Sequence, residues 1–202
     1  MVMSTRFRPH DLLWGMTCEM LPEDAPHWVK DAVGDDRPVV VRRAKSDSGI
    51  VPVGIRGMQR NQRFATYMND NVITKCVQPE SLVHQDLRLY PHLEQSLNAV
   101  ASVMNHQHFV WGYTGSVGFE LVTGLKTVTQ SSDIDLLIRT EQPMSKLDAQ
   151  DILKRLDALN LRIDIQLQTP NGGVALQEWA SVTGKVLLKR NEGAFLVENP
   201  WR

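Results

Sequence analysis

Three aspartates and a turn of small residues carry the chemistry available to this sequence. Asp133 and Asp135 stand one residue apart in Ser131-Ser132-Asp133-Ile134-Asp135-Leu136. Alternate residues of a strand share a face, so the two carboxylates project together, while Ile134, Leu136 and Ile138 include the opposite, core-facing set. Anions held side by side repel each other, and a divalent cation removes that conflict. Mg2+ suits such a pair because it takes oxygen ligands, usually one or two carboxylates completed by phosphates and waters. Alone, Asp-x-Asp is also a common solvated strand edge; its company makes it stronger. Upstream, Gly115-Ser116-Val117-Gly118-Phe119-Glu120 reads as a turn opening a helix, where backbone N–H groups and the positive dipole end meet an anion. Glycine at Gly115 lets the backbone approach closely, and Ser116 adds a hydroxyl. Downstream, Leu161-Arg162-Ile163-Asp164-Ile165-Gln166-Leu167 alternates apolar and polar residues with period two, which predicts a half-buried strand with Asp164 on its polar face. If that strand lies beside the first, three carboxylates converge.

These residues need scaffolding on both sides. Phe109-Val110-Trp111-Gly112-Tyr113-Thr114 predicts the strand that delivers the chain to Gly115. Before it, Leu93, Leu97, Val100, Ala101 and Met104 recur at helical spacing behind Pro91, which suits a first helical turn. Ser145-Lys146-Leu147-Asp148 resembles a capping box with Asp in place of Glu, opening an amphipathic helix through Leu147, Ile152, Leu153, Leu156 and Leu159. Strand, helix and strand in that order imply a parallel crossover. Asn171-Gly172-Gly173 turns the chain, a helix is expected over 174–182, and residues 186–190 and 194–197 predict a closing hairpin about Asn191-Glu192-Gly193.

The first part of the chain is different in character. A short helix is expected near His27–Ala32. Pro38-Val39-Val40-Val41-Arg42-Arg43-Ala44 and Ile50-Val51-Pro52-Val53-Gly54-Ile55-Arg56 predict two strands around the turn Ser46-Asp47-Ser48-Gly49, the second at a sheet edge or broken by Pro52. Arg42, Arg43, Lys45, Arg56, Arg60 and Arg63 face a single acid, Asp47, across residues 42–63. Arginine pairs with phosphate through a planar fork, so Arg42, Arg56 and Arg60 are candidate phosphate binders, or a dock for an acidic protein. A helix from Gly57 would put Arg56, Arg60 and Arg63 on one face. Lys189 is a further phosphate candidate. Residues 75–90 read as a linker. The organisation expected is α+β: a small β-rich N-terminal domain, 1–78, followed by a mixed sheet flanked by helices, 79–202.

The set Gly115-Ser116, Asp133-x-Asp135 and Asp164 resembles the polymerase-β-like nucleotidyltransferase superfamily. The longer text "GSVGFELVTGL…SSDIDLLI" is similar to a narrower family, the holo-acyl-carrier-protein synthases of malonate decarboxylase, or phosphoribosyl-dephospho-CoA transferases. That similarity extends to "PVVVRRA" and "VPVGIRGMQRNQRFA". The resemblance implies a nucleotidyltransferase-type fold and Mg2+ held by Asp133, Asp135 and Asp164. It also implies a donor, 2′-(5″-triphosphoribosyl)-3′-dephospho-CoA, and an acceptor, a serine of the apo acyl-carrier subunit of malonate decarboxylase. The product would be a phosphodiester, with pyrophosphate released. The residues themselves also admit an Mg-dependent nucleotidyltransferase using a common NTP on another protein or a small molecule. A third reading is a non-catalytic carrier-binding or regulatory module with a relic motif, against which the intact motif counts.

Composition narrows the field further. A chain of 202 residues with 42% hydrophobic content has ample core, and a net charge of −1 argues against a general nucleic-acid coat. Its two cysteines, Cys18 and Cys76, form no CxxC, so neither a disulfide framework nor a zinc site is expected, and buried or incidental thiols are. His106 and His108 lack a third ligand at metal spacing and read as surface or helix-end residues. No apolar run is long enough to cross a bilayer and no signal-peptide core is present, so a cytoplasmic location is expected.

Overall fold

Alternating apolar residues in both halves of the chain build two separate sheets, each with its own helices. The computed structural model describes residues 6–59, 61–129 and 131–202. The chain forms two units, Met1–Gln78 and Pro79–Arg202, and the fold is α+β.

The first unit holds β1 (Leu12–Trp14), α1 (His27–Gly34), β2 (Val39–Val41), β3 (Ile50–Arg56), β4 (Arg63–Asn69) and β5 (Lys75–Val77). Its sheet is antiparallel throughout, in the order β4-β3-β2-β1-β5. Val29, Ala32 and Val33 of α1 are buried with Leu13, Val39, Val53 and Met68. Pro52 lies inside β3, which runs between two neighbours and is not the expected edge. Its carbonyl accepts from Arg42 N at 2.8 Å, just past the end of β2, so the missing N–H falls where that ladder stops. The helix expected from Gly57 does not form. Gly57 N donates to Gln62 O at 3.0 Å, closing a hairpin in which Arg56 and Arg63 are register partners. Cys18 and Cys76 form no disulfide and both are exposed, so of the buried or incidental thiols expected the buried alternative fails.

The second unit opens with 3₁₀ turns at Pro79–His84 and Leu87–Leu89, then α2 (Pro91–Met104), β6 (Val110–Tyr113), α3 (Gly115–Thr123), β7 (Ile134–Arg139), α4 (Lys146–Asp157) and β8 (Ile163–Thr169). It closes with β9 (Gly172–Ala175), α5 (Leu176–Ser181), β10 (Val186–Arg190) and β11 (Gly193–Val197). The helix expected over 174–182 is thus divided between a strand and a shorter helix. The sheet order is β11-β10-β9-β8-β7-β6, with β7 and β8 parallel and every other pair antiparallel.

Register sorts the side chains of this sheet onto two faces. Trp111, Tyr113, Leu136, Ile138, Ile165, Leu167 and Val174 share the apolar face and are buried. There Tyr113 donates its hydroxyl to Leu97 O of α2 at 3.0 Å, and burial holds its phenol above the usual tyrosine range. Leu93, Leu97, Val100 and Met104 are the buried stripe of α2. Ser145 caps α4 by accepting from Asp148 N at 3.0 Å, although Leu147 faces outward at 77% exposure and does not join the stripe.

The opposite face carries Gly112, Asp135, Leu137, Arg139, Asp164, Gln166 and Gln168. Its Arg139 end is covered. A Cβ on Gly112 would stand 2.1 Å from the Pro79 carbonyl carbon, so the 3₁₀ turn lies directly on the strand. Arg139 Nε donates to Glu80 Oε1 at 2.9 Å and Oε2 at 3.1 Å, and Leu82 is 1% exposed. Residues 79–84 are therefore packed structure of the second unit, not the linker expected.

Candidate active site

The other end of that face is where the sequence places its chemistry. β6 ends at Tyr113 and α3 starts at Gly115, which has φ +59. Gly118 N is bonded to Thr114 O at 2.9 Å, so the N–H groups of Gly115, Ser116 and Val117 precede the i−4 ladder. Thr114 supplies no side-chain cap. Asp135 lies against this turn. A Cβ on Gly115 would be 1.7 Å from Asp135 Oδ2 and 2.5 Å from its Cγ, so only glycine admits the carboxylate here. Thr114 N donates to Asp135 O at 2.9 Å, locking helix start and strand together. Gly115 is exposed and Ser116 is buried, which leaves the backbone of the turn as its outward surface.

Asp135 and Asp164 are register partners in the parallel pair, so their side chains share a face on neighbouring strands about 4.8 Å apart. Asp133 stands one residue before β7, where its Oδ1 lies 3.4 Å from Arg162 Nε, with side-chain exposures of 40% and 60%. Ile134 N donates to Arg162 O at 2.8 Å and keeps the two strand entrances level. Among the described residues, no three His, Cys, Asp or Glu side chains form a metal-holding group by themselves. The donor set nevertheless fits Mg2+, which needs only one or two carboxylates when phosphates and waters supply the rest.

The expected phosphate binders lie on different elements. Gly115 and Ser116 adjoin Asp135. Lys189 does not. It pairs with Gly173, Gly173 with Gln168, and Gln168 with Arg139, which puts it on the same face but at the far end of β7. Three strand spacings also separate it, about 14 Å. Arg42 is exposed just past β2, and Arg56 sits at the end of β3; both belong to the first unit. Arg60 lies outside the described residues.

Two residues escaped the sequence reading. Arg162 pairs with Asp133 at the mouth of the site, and its place just before a strand carrying Asp164 was the available signal. Glu120 is 2% exposed in α3, with His92 Nε2 at 2.6 Å from its Oε1. Nothing in its spacing marks it, because its partners come from another helix and a loop.

Comparison with known proteins makes the class a transferase. The family model described as phosphoribosyl-dephospho-CoA transferase MdcG, C-terminal domain, matches residues 81–200, and the corresponding N-terminal domain model matches residues 8–79. The chain belongs to the phosphoribosyl-dephospho-CoA transferase family. A relative of that name from Pseudomonas putida (strain GB-1) is 46% identical over 194 residues, covering 96% of this chain and 95% of its own. One from Azotobacter vinelandii is 42% identical over 203 residues, with 96% and 94% covered. One from Pseudomonas aeruginosa is 43% identical over 196 residues, with 96% and 93% covered. No solved structure matches the chain. Among the described residues, no helix is long and apolar enough to cross a membrane.

Proposed function

We propose that this chain transfers the prosthetic group of 2′-(5″-triphosphoribosyl)-3′-dephospho-CoA to a serine of the malonate decarboxylase acyl-carrier subunit, in the cytoplasm. The serine Oγ forms a bond to the phosphorus attached to the ribose. The bond from that phosphorus to the oxygen bridging the next phosphate breaks, and pyrophosphate leaves with the electron pair. The observation that carries this reading is the seat of Asp135 on Gly115: one carboxylate lies against a helix start, a position suited to receive an anion.

The chain's residues divide the work. The backbone of Gly115 and Ser116 receives the departing pyrophosphate. Asp133 and Asp135 are the residues that would hold Mg2+, with Asp164 beside them. The ion, when bound, neutralises phosphate charge and aligns the displacement. Asp164, exposed on the neighbouring strand, accepts the serine proton. Positioning and electrostatics dominate such transfers, so the protein contributes little covalent chemistry. The relatives' name, phosphoribosyl-dephospho-CoA transferase, supports the donor; the carrier rests on the resemblance of the sequence motifs alone.

The test is Asp135→Asn with donor, apo-carrier and Mg2+. Transfer is expected to fall about 10²-fold or more. Mass spectrometry of the wild-type carrier product should show the phosphoribosyl-dephospho-CoA increment. Near-wild-type transfer by the variant overturns the site, and an acceptor that gains only a nucleotide from a common NTP overturns the donor.

A further inference from the structure

We infer that Glu120 is a positioning residue, which fixes the loop that carries Asp133 and Asp135 to the start of α3. This rests on the metal-site reading above. The carboxylate is 2% exposed, and burying an anion is costly unless it is paired and hydrogen-bonded. Here every partner fixes a path. Oε2 accepts from Thr127 N at 2.8 Å and from Val128 N at 2.7 Å. Oε1 takes His92 Nε2 at 2.6 Å, and the next residue of α3, Leu121, accepts Tyr90 Oη at 2.9 Å. The start of α2 is thereby joined to the same stretch of α3.

The loop's course shows what the clamp does. After α3 ends, the chain doubles back along the helix. Leu125 N meets Thr123 Oγ1 at 3.2 Å, then Thr127 and Val128 meet Glu120. Thr127 Oγ1 donates to Ser116 O at 3.0 Å, in the first turn. Thr129 and Ser132 then close a tight turn, with Ser132 N to Thr129 O at 3.0 Å and Thr129 N to Ser132 Oγ at 3.0 Å. Asp133 follows immediately. One helix therefore presents the anion-receiving turn at its start and holds, through Glu120, the strap that sets the aspartates beside it. A carboxylate suits this post, because charge-assisted bonds to two backbone N–H groups are stronger than neutral ones.

The experiment compares Glu120→Ala, Glu120→Gln and Thr127→Val in the full chain. It reads Mn2+ binding without donor, amide exchange of residues 127–132, and kcat and KM for the donor. Glu120→Ala should weaken Mn2+ binding and lower kcat by about 10–100-fold, the usual cost of losing a group that orients metal ligands. Exchange at 127–132 should accelerate by about tenfold. Glu120→Gln keeps an acceptor for both N–H groups and should stay within about threefold of wild type. Thr127→Val removes the tie to Ser116 and should show a smaller change in the same direction, which carries the test if Glu120→Ala does not fold. Wild-type Mn2+ binding in Glu120→Ala, or in Thr127→Val if it stands alone, overturns the inference. Asp135→Asn separates the two readings: if it binds Mn2+ normally the metal site fails, and if it alone loses Mn2+ only the role of Glu120 fails.

Discussion

The two ends of one face of β7 put arginine and carboxylate to opposite uses. At the Arg139 end, side-chain exposures of 5% and 17% make the pair with Glu80 part of the interior. At the Asp133 end, the pair with Arg162 is 60% and 40% exposed and long, at 3.4 Å. Water screens the second pair, so it contributes little to folding and yields readily to a competing anion or cation. The first cannot be opened without leaving a buried charge. Six residues of one strand thus pass from scaffold to site. Burial, more than residue type, decides which role an arginine has.

Glu80→Ala breaks the scaffold end most severely. It removes the carboxylate bonded to the buried Arg139 Nε and should cost about 3–5 kcal/mol, read from urea unfolding, and preservation of stability would erase the contrast. Gly115→Ala tests the site end. It must hold a positive φ and displace Asp135, so a loss of about 1–3 kcal/mol is expected, with transfer activity falling far more than stability does. A variant with normal transfer would show that Asp135 need not sit on this turn. Arg162→Ala sharpens the comparison with the smallest effect. Stability should change by less than about 1 kcal/mol, while the donor KM rises and loses part of its salt dependence. A stability loss as large as that of Glu80→Ala would make the two ends equivalent.

Local chemistry explains which parts were legible. β8 could be read because Ile163, Ile165 and Leu167 keep strict period two, and α2 because its stripe keeps the helical one. The opening of α3 could be read because a glycine at a strand-to-helix junction has few other uses. Placement across strands was hidden. Lys189 shares the face of Asp135, but its distance depends on β9 and β8 lying between, which no local pattern encodes. The arginines of 56–63 fitted a helix face until the Gly57–Gln62 bond closed a hairpin. Glu120 was invisible for the same reason, since its partners lie in α2 and in a loop seven and eight residues on.

Pro200 and Trp201 tie together strands far upstream of them. Trp201 donates Nε1 to Thr140 O at 3.1 Å across 61 residues, and Thr169 Oγ1 donates to Pro200 O at 2.9 Å. Trp201 also stands edge-on to Trp179 with ring centroids 5.1 Å apart. The far ends of β7 and β8 are therefore buttoned by residues synthesised long after both strands. Loop-closure entropy opposes these long-range contacts until the intervening strands have paired, so the buttoning is expected late in folding. The paired indoles give the moment an intrinsic optical marker.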